Sequence, residues 1–127
     1  MTKGPLSLAI VLLTSAAVAH PTKTEAPDQA TQFSYARVGH TGGNKGRSTD
    51  INNVARESPG TYRISYDRDI NSCVNLVTIT FLAQPNEPSV QGSTATTHPQ
   101  GKDLVVFTAG STGALQDHAF VVLTYCP

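Results

Sequence analysis

From Phe33 to the C-terminus the chain alternates apolar and polar residues in short runs cut by glycine and proline. A period of two fits the pleat of a strand, and no run carries the 3.6-residue period of a long amphipathic helix. Phe33, Tyr35 and Arg37 alternate with Ser34, Ala36 and Val38 and predict a first strand. Ile51 and Val54, among the polar residues of 50–56, predict a short second one. Tyr62, Ile64 and Tyr66 alternate with Arg63 and Ser65, the mark of a half-buried strand. In 73–82, Cys73, Val77, Ile79 and Phe81 fall on one face and Val74, Leu76 and Leu82 on the other, which predicts a central strand covered on both sides. Pro85 and Pro88 end it. Residues 89–97 are β-prone but polar and read as an edge strand, 104–108 as a core strand and 118–125 as the last strand. Ser58-Pro59-Gly60, 67–72 and 109–117 are turns. About seven antiparallel strands with this spacing predict an all-β domain, a small β-sandwich or barrel. Tyr62, Tyr66, Phe81, Phe107 and Phe120 are its expected aromatic core.

The first residues follow a different logic. Lys3 gives a positive start, 6–13 (LSLAIVLL) an apolar centre, and Ala17-Val18-Ala19 a small-x-small cleavage site. This is the layout of a signal peptide over 1–19, and the apolar run is shorter than the roughly 20 residues of a bilayer span. No later stretch approaches that length, so no integral membrane segment is expected. Residues 20–32 are polar, hold two prolines and predict a flexible leader ahead of a single β domain over 33–127. The expected location is outside the cell.

Secretion makes the two cysteines informative. An oxidising compartment favours a bridge between Cys73 and Cys126, with a buried thiol pair or an intermolecular bridge as the alternatives. Two cysteines this far apart, without a CxxC, give little support to zinc or redox chemistry.

Charge narrows the partners. Lys plus Arg and Asp plus Glu are both 9, and charged residues make up 14% of the chain, against roughly 25% in an average soluble protein. A nucleic-acid binder would carry a basic excess. The expected partner is an extracellular ligand, a surface polymer or another copy of the chain.

No motif specifies a reaction. Gly39, Gly42, Gly43 and Gly46, with Lys45 and Arg47, form a glycine-rich loop whose backbone N–H groups could cradle an anion; Lys45, Arg47, Gly42 and Gly43 are the candidate binding residues. The loop lacks the Gly-Lys-Ser/Thr ending of a Walker sequence. Asp67, Asp69 and Asn71 alternate like the start of a calcium loop, but Ser72 and Thr78 stand where that loop needs glycine and glutamate. His40, His98 and His118 lack the spacing of a metal helix, and there is no G-x-S-x-G elbow. Asp117 reads as a turn cap before the last strand. No catalytic residue, metal ligand or cofactor is assigned.

The segment from Gly60 to Cys73, GTYRISYDRDINSC, follows the pattern G-x-Y-x-[VI]-x-[FY]-x-x-x-[VI]-x-x-C, and Asp117 to Cys126, DHAFVVLTYC, follows a D…F-x-[VL]…C pattern. Together these resemble a group of small secreted bacterial β-domain proteins, mostly uncharacterised. The resemblance spans about residues 33–126 and implies a β domain with a cysteine pair and no catalytic residues. The expected function is a secreted, non-catalytic binding or assembly module, acting on a surface, on carbohydrate or on itself. The alternative is a small secreted enzyme or biosynthetic accessory protein with a pocket in the β scaffold.

Overall fold

The computed structural model describes residues 32–127. The signal peptide expected over 1–19 and all of the expected leader except Gln32 lie outside the described residues. What is described contains eight strands and no helix: β1 (Gln32–Val38), β2 (Asn44–Arg47), β3 (Ile51–Ser58), β4 (Thr61–Tyr66), β5 (Val74–Ile79), β6 (Thr94–Gln100), β7 (Asp103–Ala109) and β8 (Phe120–Cys126). They form two four-stranded antiparallel sheets, sheet A in the order β2-β1-β8-β5 and sheet B in the order β3-β4-β7-β6. The architecture is a sandwich, and neither sheet closes into a barrel.

The alternation seen in the sequence fills the space between the sheets. Ala36, Val38, Phe120 and Val122 from sheet A meet Ile51, Tyr62, Ile64, Tyr66, Leu104 and Val106 from sheet B, and Ile70 closes one end. Tyr62 and Phe120 pack edge to face with ring centroids 4.9 Å apart, an arrangement the ring quadrupole favours. The buried hydroxyls are satisfied across the layers. Tyr66 OH lies 2.8 Å from Thr124 Oγ1, and Thr124 in turn donates to Asn75 Oδ1 at 2.9 Å.

Cys73 and Cys126 are bridged, with Cα atoms 4.3 Å apart. Val74 lies opposite Tyr125 in the β5–β8 ladder, so the bridge extends that ladder by one residue and ties the outermost strand of sheet A to its neighbour.

Four expectations are corrected. The glycine-rich 39–47 segment is a hairpin whose second half is β2, pairing with β1 from Ala36↔Arg47 to Val38↔Asn44 across a bulge. Glycine hid a strand there because it lowers β-propensity without forbidding pairing. The strand expected over 73–82 is no central strand: β5 pairs only with β8, and Val74 and Leu76 are exposed. Phe81 lies beyond the end of β5 and is 59% exposed, and Phe107 is only half-buried, so neither belongs to the aromatic core. The polar edge strand exists as β6, but it starts at Thr94; Pro99 is tolerated in it because an edge strand needs no second row of donors.

One glycine fixes a connection. Pro59-Gly60 joins β3 to β4, and Gly60 has φ +67°, as the third position of a Pro-Gly turn requires. A Cβ there would fall 2.7 Å from the Gln116 nitrogen and against the Thr108 carbonyl. The β3–β4 turn is therefore pressed against the 109–117 segment, which positions Asp117.

Candidate functional site

The two sheets present very different outer faces. On sheet B, Arg63 pairs with Glu57 and Asp103, and the remaining outward positions of β4, β6 and β7 are mainly Thr, Ser, His98 and Gln100 around Val105 and Phe107, of which Val105 is buried and Phe107 half-buried. On sheet A the three strands β1, β8 and β5 place outward residues in register. Phe33, Tyr125 and Val74 form one row, Tyr35, Leu123 and Leu76 a second, and Arg37, Val121 and Thr78 a third. Seven of these nine positions are apolar or aromatic, and none is acidic. Leu76 is 62% exposed, Val74 56% and Phe33 54%.

Strands rise about 3.4 Å per residue and lie about 4.8 Å apart, so the nine positions cover roughly 20 by 14 Å, or about 300 Å² in projection. Apolar patches of that order on a soluble domain are often functional. The signal for this face was present in the sequence. Strands β5 and β8 are apolar on both sides, which normally marks strands covered on both sides. In this fold only the inner side is covered.

The hairpin beside this face is basic. Residues 32–49 hold Arg37, Lys45 and Arg47 and no Asp or Glu, whereas Arg56, Arg63 and Arg68 each pair with a carboxylate. Among the described residues, Arg37, Lys45 and Arg47 show no carboxylate partner. Lys45 is brought together with Arg37 rather than with Arg47, at an open cleft of about 430 Å³ whose remaining lining is Leu82 to Pro85. Gly43 is exposed, and Gly42, at φ +87°, packs against Arg56, where a Cβ would fall 2.7 Å from the Arg56 Cβ. Three of the hairpin's N–H groups are already used: Gly39 donates to the Gly43 carbonyl, Gly42 to the Gly39 carbonyl and Gly46 to Asn44 Oδ1. They are not free to cradle an anion.

Asp117 sits at one end of the sandwich as a buckle. Its Oδ1 accepts from the Gly60 N–H at 2.8 Å and from Tyr62 OH at 3.2 Å, and both carboxylate oxygens accept from Arg56 Nε. Burial alone would raise this carboxyl, but the Arg56 hydrogen bond and the Gly60 N–H outweigh it and hold the group below its ordinary value. Burial, with the Asp117 carboxylate alongside, pushes the Tyr62 hydroxyl well up, so it remains protonated. Nearby, His118 is fully buried, and that burial pulls its ring below the usual histidine range. Its Nε2 lies 3.2 Å from Ser93 Oγ, while Nδ1 has no hydrogen-bond partner among the described residues.

The calcium-like segment is a turn. Asp69 Oδ1 accepts from the Asn71 N–H, and Asn71 Oδ1 accepts from the Gly101 N–H, each at 2.8–2.9 Å. His98 lies on the outer face of sheet B, apart from His40 and His118. Among the described residues no group of three His, Cys, Asp or Glu side chains comes together to hold a metal, and no helix is long and apolar enough to cross a membrane. Set against protein-family models, curated proteins and solved structures, the chain finds no match in any of the three.

Proposed function

We propose that this chain is a secreted, non-catalytic binding or assembly module that works through the outer face of sheet A. The observation that carries the reading is the acid-free apolar surface built from Phe33, Tyr35, Leu76, Leu123 and Tyr125 on a disulfide-tied scaffold. Exposing it costs hydration free energy that a partner would recover. The resemblance to small secreted bacterial β-domain proteins belongs to the same reading, as does the signal peptide of 1–19. Intact-mass analysis of secreted protein is expected to find a chain beginning at His20, and material retaining Met1 would remove the secretion argument.

The binding reading is tested with labelled protein applied to the surface of the cells that produce it. The double substitution Leu76→Thr, Tyr125→Thr keeps β-propensity and removes the apolar contact. It should leave the melting temperature nearly unchanged, because the positions are exposed, and should reduce retention at least about tenfold. Retention that survives this variant but disappears in Lys45→Ala, Arg47→Ala would move the function to the hairpin.

A second reading has one observation in its favour. Ser93 and His118 form a hydroxyl–imidazole pair beside an open cleft of about 450 Å³ whose lining includes Ser93, Val77 and Ile79. A nucleophilic serine needs a base held by a third group, and no hydrogen bond orients His118 Nδ1 among the described residues. Turnover of any ester or amide substrate that is lost in both Ser93→Ala and His118→Ala with an unchanged fold would favour the enzyme.

A further inference from the structure

We infer that the cleft between the β1–β2 hairpin and the 82–87 loop binds an acidic sugar unit, with its oxyanion held by Arg37 and Lys45. The cleft adjoins the apolar face of sheet A through Arg37, but it does not require that face to bind anything.

The bulge between β1 and β2 brings the two cations together. Arg37 pairs with Gly46 and Val38 with Asn44, so Lys45 is left out of the ladder. In a regular strand Lys45, next to Gly46, would point to the face opposite Arg37. The bulge re-aims it, and both side chains line one cleft of about 430 Å³. Arg37 lies opposite Gly46 on one neighbouring strand and Val121 on the other, and neither can neutralise it. Like charges gathered in this way repel, and an anion between them would remove the repulsion. Arg47 is not part of the cleft lining. It pairs with Ala36, whose side chain is buried between the sheets.

The opposite wall is fixed, and its one acid is engaged within it. Both carboxylate oxygens of Glu87 accept the Leu82 N–H at 3.0 Å, and one of them accepts the Gln84 N–H at 2.9 Å. The same turn holds Ala83 at φ +53°, a left-handed conformation that alanine keeps only where its surroundings impose it. This wall lines the cleft with Leu82, Ala83, Pro85 and Gln84. Gln84 Oε1 is buried and has no hydrogen-bond partner among the described residues, which is costly unless a donor reaches it. Gly39 lets the two walls close on each other. A Cβ there would fall 3.2 Å from Lys45 Cε and 2.6 Å from Gln84 Oε1.

The class of ligand follows from this set. Two cations suit an oxyanion, and the planar fork of Arg37 matches carboxylate or phosphate. The orphaned acceptor of Gln84 suits a hydroxyl donor, and the carbon surface of Leu82, Ala83 and Pro85 suits the C–H face of a ring. The volume falls within the range of about 300–1,000 Å³ found for small-molecule sites, more than a bare ion fills. A sugar that carries a carboxylate or a phosphate meets all of these conditions.

The test is an NMR titration of the isotope-labelled mature protein at low salt. The probes are glucuronate, glucose phosphorylated at its primary hydroxyl, inorganic phosphate and unmodified glucose. At least one of the two acidic sugars should give saturable shifts at the amides of Arg37, Lys45 and Leu82 to Gln84, with Kd of about 1–10 mM. The tighter of the two identifies the oxyanion as carboxylate or phosphate. Inorganic phosphate should bind at least about fivefold more weakly, and glucose should not shift these amides. Arg37→Gln, Lys45→Gln should weaken the acidic sugar at least about tenfold. Gln84→Leu keeps the bulk without the acceptor and should bring the acidic sugar down toward inorganic phosphate. Arg47→Gln should change the affinity less than about twofold, since salt screens a charge outside the cleft. Saturable shifts from neither acidic sugar would overturn the inference. So would inorganic phosphate binding as tightly as the acidic sugars, or Arg47→Gln costing as much as the Arg37, Lys45 pair. Such a failure is separate from that of the sheet A reading, which is judged by whether retention at the cell surface depends on Leu76 and Tyr125.

Discussion

Replacing Cys73 and Cys126 together by serine is expected to lower the stability of the domain by about 2–5 kcal/mol. The bridge spans a sequence separation of 53, and in the chain-entropy account a closed loop of that length is worth about 4 kcal/mol. That is a large share of the roughly 5–15 kcal/mol that holds an ordinary domain together. The loss should also be local. β5 is an edge strand held only by β8, and the bridge clamps the Val74 end of that pairing. Amide exchange in the double serine variant should therefore accelerate first over residues 74–79, while β4 and β7, which lie between neighbours on both sides, keep their protection. Uniform acceleration across both sheets would show that the bridge acts on the unfolded chain alone. The prediction links stability to function, since β5 supplies Val74, Leu76 and Thr78 to the exposed face. A frayed β5 should weaken whatever that face binds even where the domain stays folded.

The fold class was legible because period-two alternation depends only on which face of a strand meets the core. Tyr62, Ile64, Tyr66, Phe120 and Val122 all point inward as their alternation requires. The cysteine pairing was legible from compartment chemistry, and the structure puts the two residues at the same end of adjacent strands. Strand order was not legible, because alternation says nothing about neighbours. The error over β5 shows the consequence. Val74 and Leu76 looked like the second buried face of a central strand, and they are an uncovered face of an edge strand. The same residues carry the candidate site, so the feature that misplaced the strand is the one that marks the function. The hairpin was misread for another reason. Gly42, Gly43 and Gly46 suggest a loop with free N–H groups, and the fold engages those of Gly42 and Gly46 within the hairpin itself. The association of Lys45 with Arg37 depends on the register of β2 against β1.

Acid should erode the stability of this protein in two stages, and Asp117→Asn should reduce the second. His118 is buried with its ring held below the ordinary histidine range by desolvation. Its native form stays neutral where the unfolded chain takes up a proton, so stability declines as the pH falls below the unfolded value of about 6.5. Asp117 acts lower. Despite its burial, Arg56 and the Gly60 N–H hold its carboxyl below the ordinary value. Its contribution is complete above the unfolded value of about 3.9 and is lost as the pH falls through the native one. At neutral pH the asparagine variant should be less stable by about 1–3 kcal/mol, since the Gly60 N–H, the Tyr62 hydroxyl and the Arg56 guanidinium lose a charged acceptor. The difference between the two proteins should shrink steadily below pH 4, and the decline that begins near pH 6.5 should survive in both. Melting temperatures measured from pH 7 to pH 2 decide the matter. A difference that is constant with pH would mean that Asp117 is ionised at its ordinary value and that Arg56 contributes nothing to the buckle. A variant that melts like the unaltered protein at pH 7 would leave Asp117 without its structural role, and would return it to the enzyme reading as a candidate base.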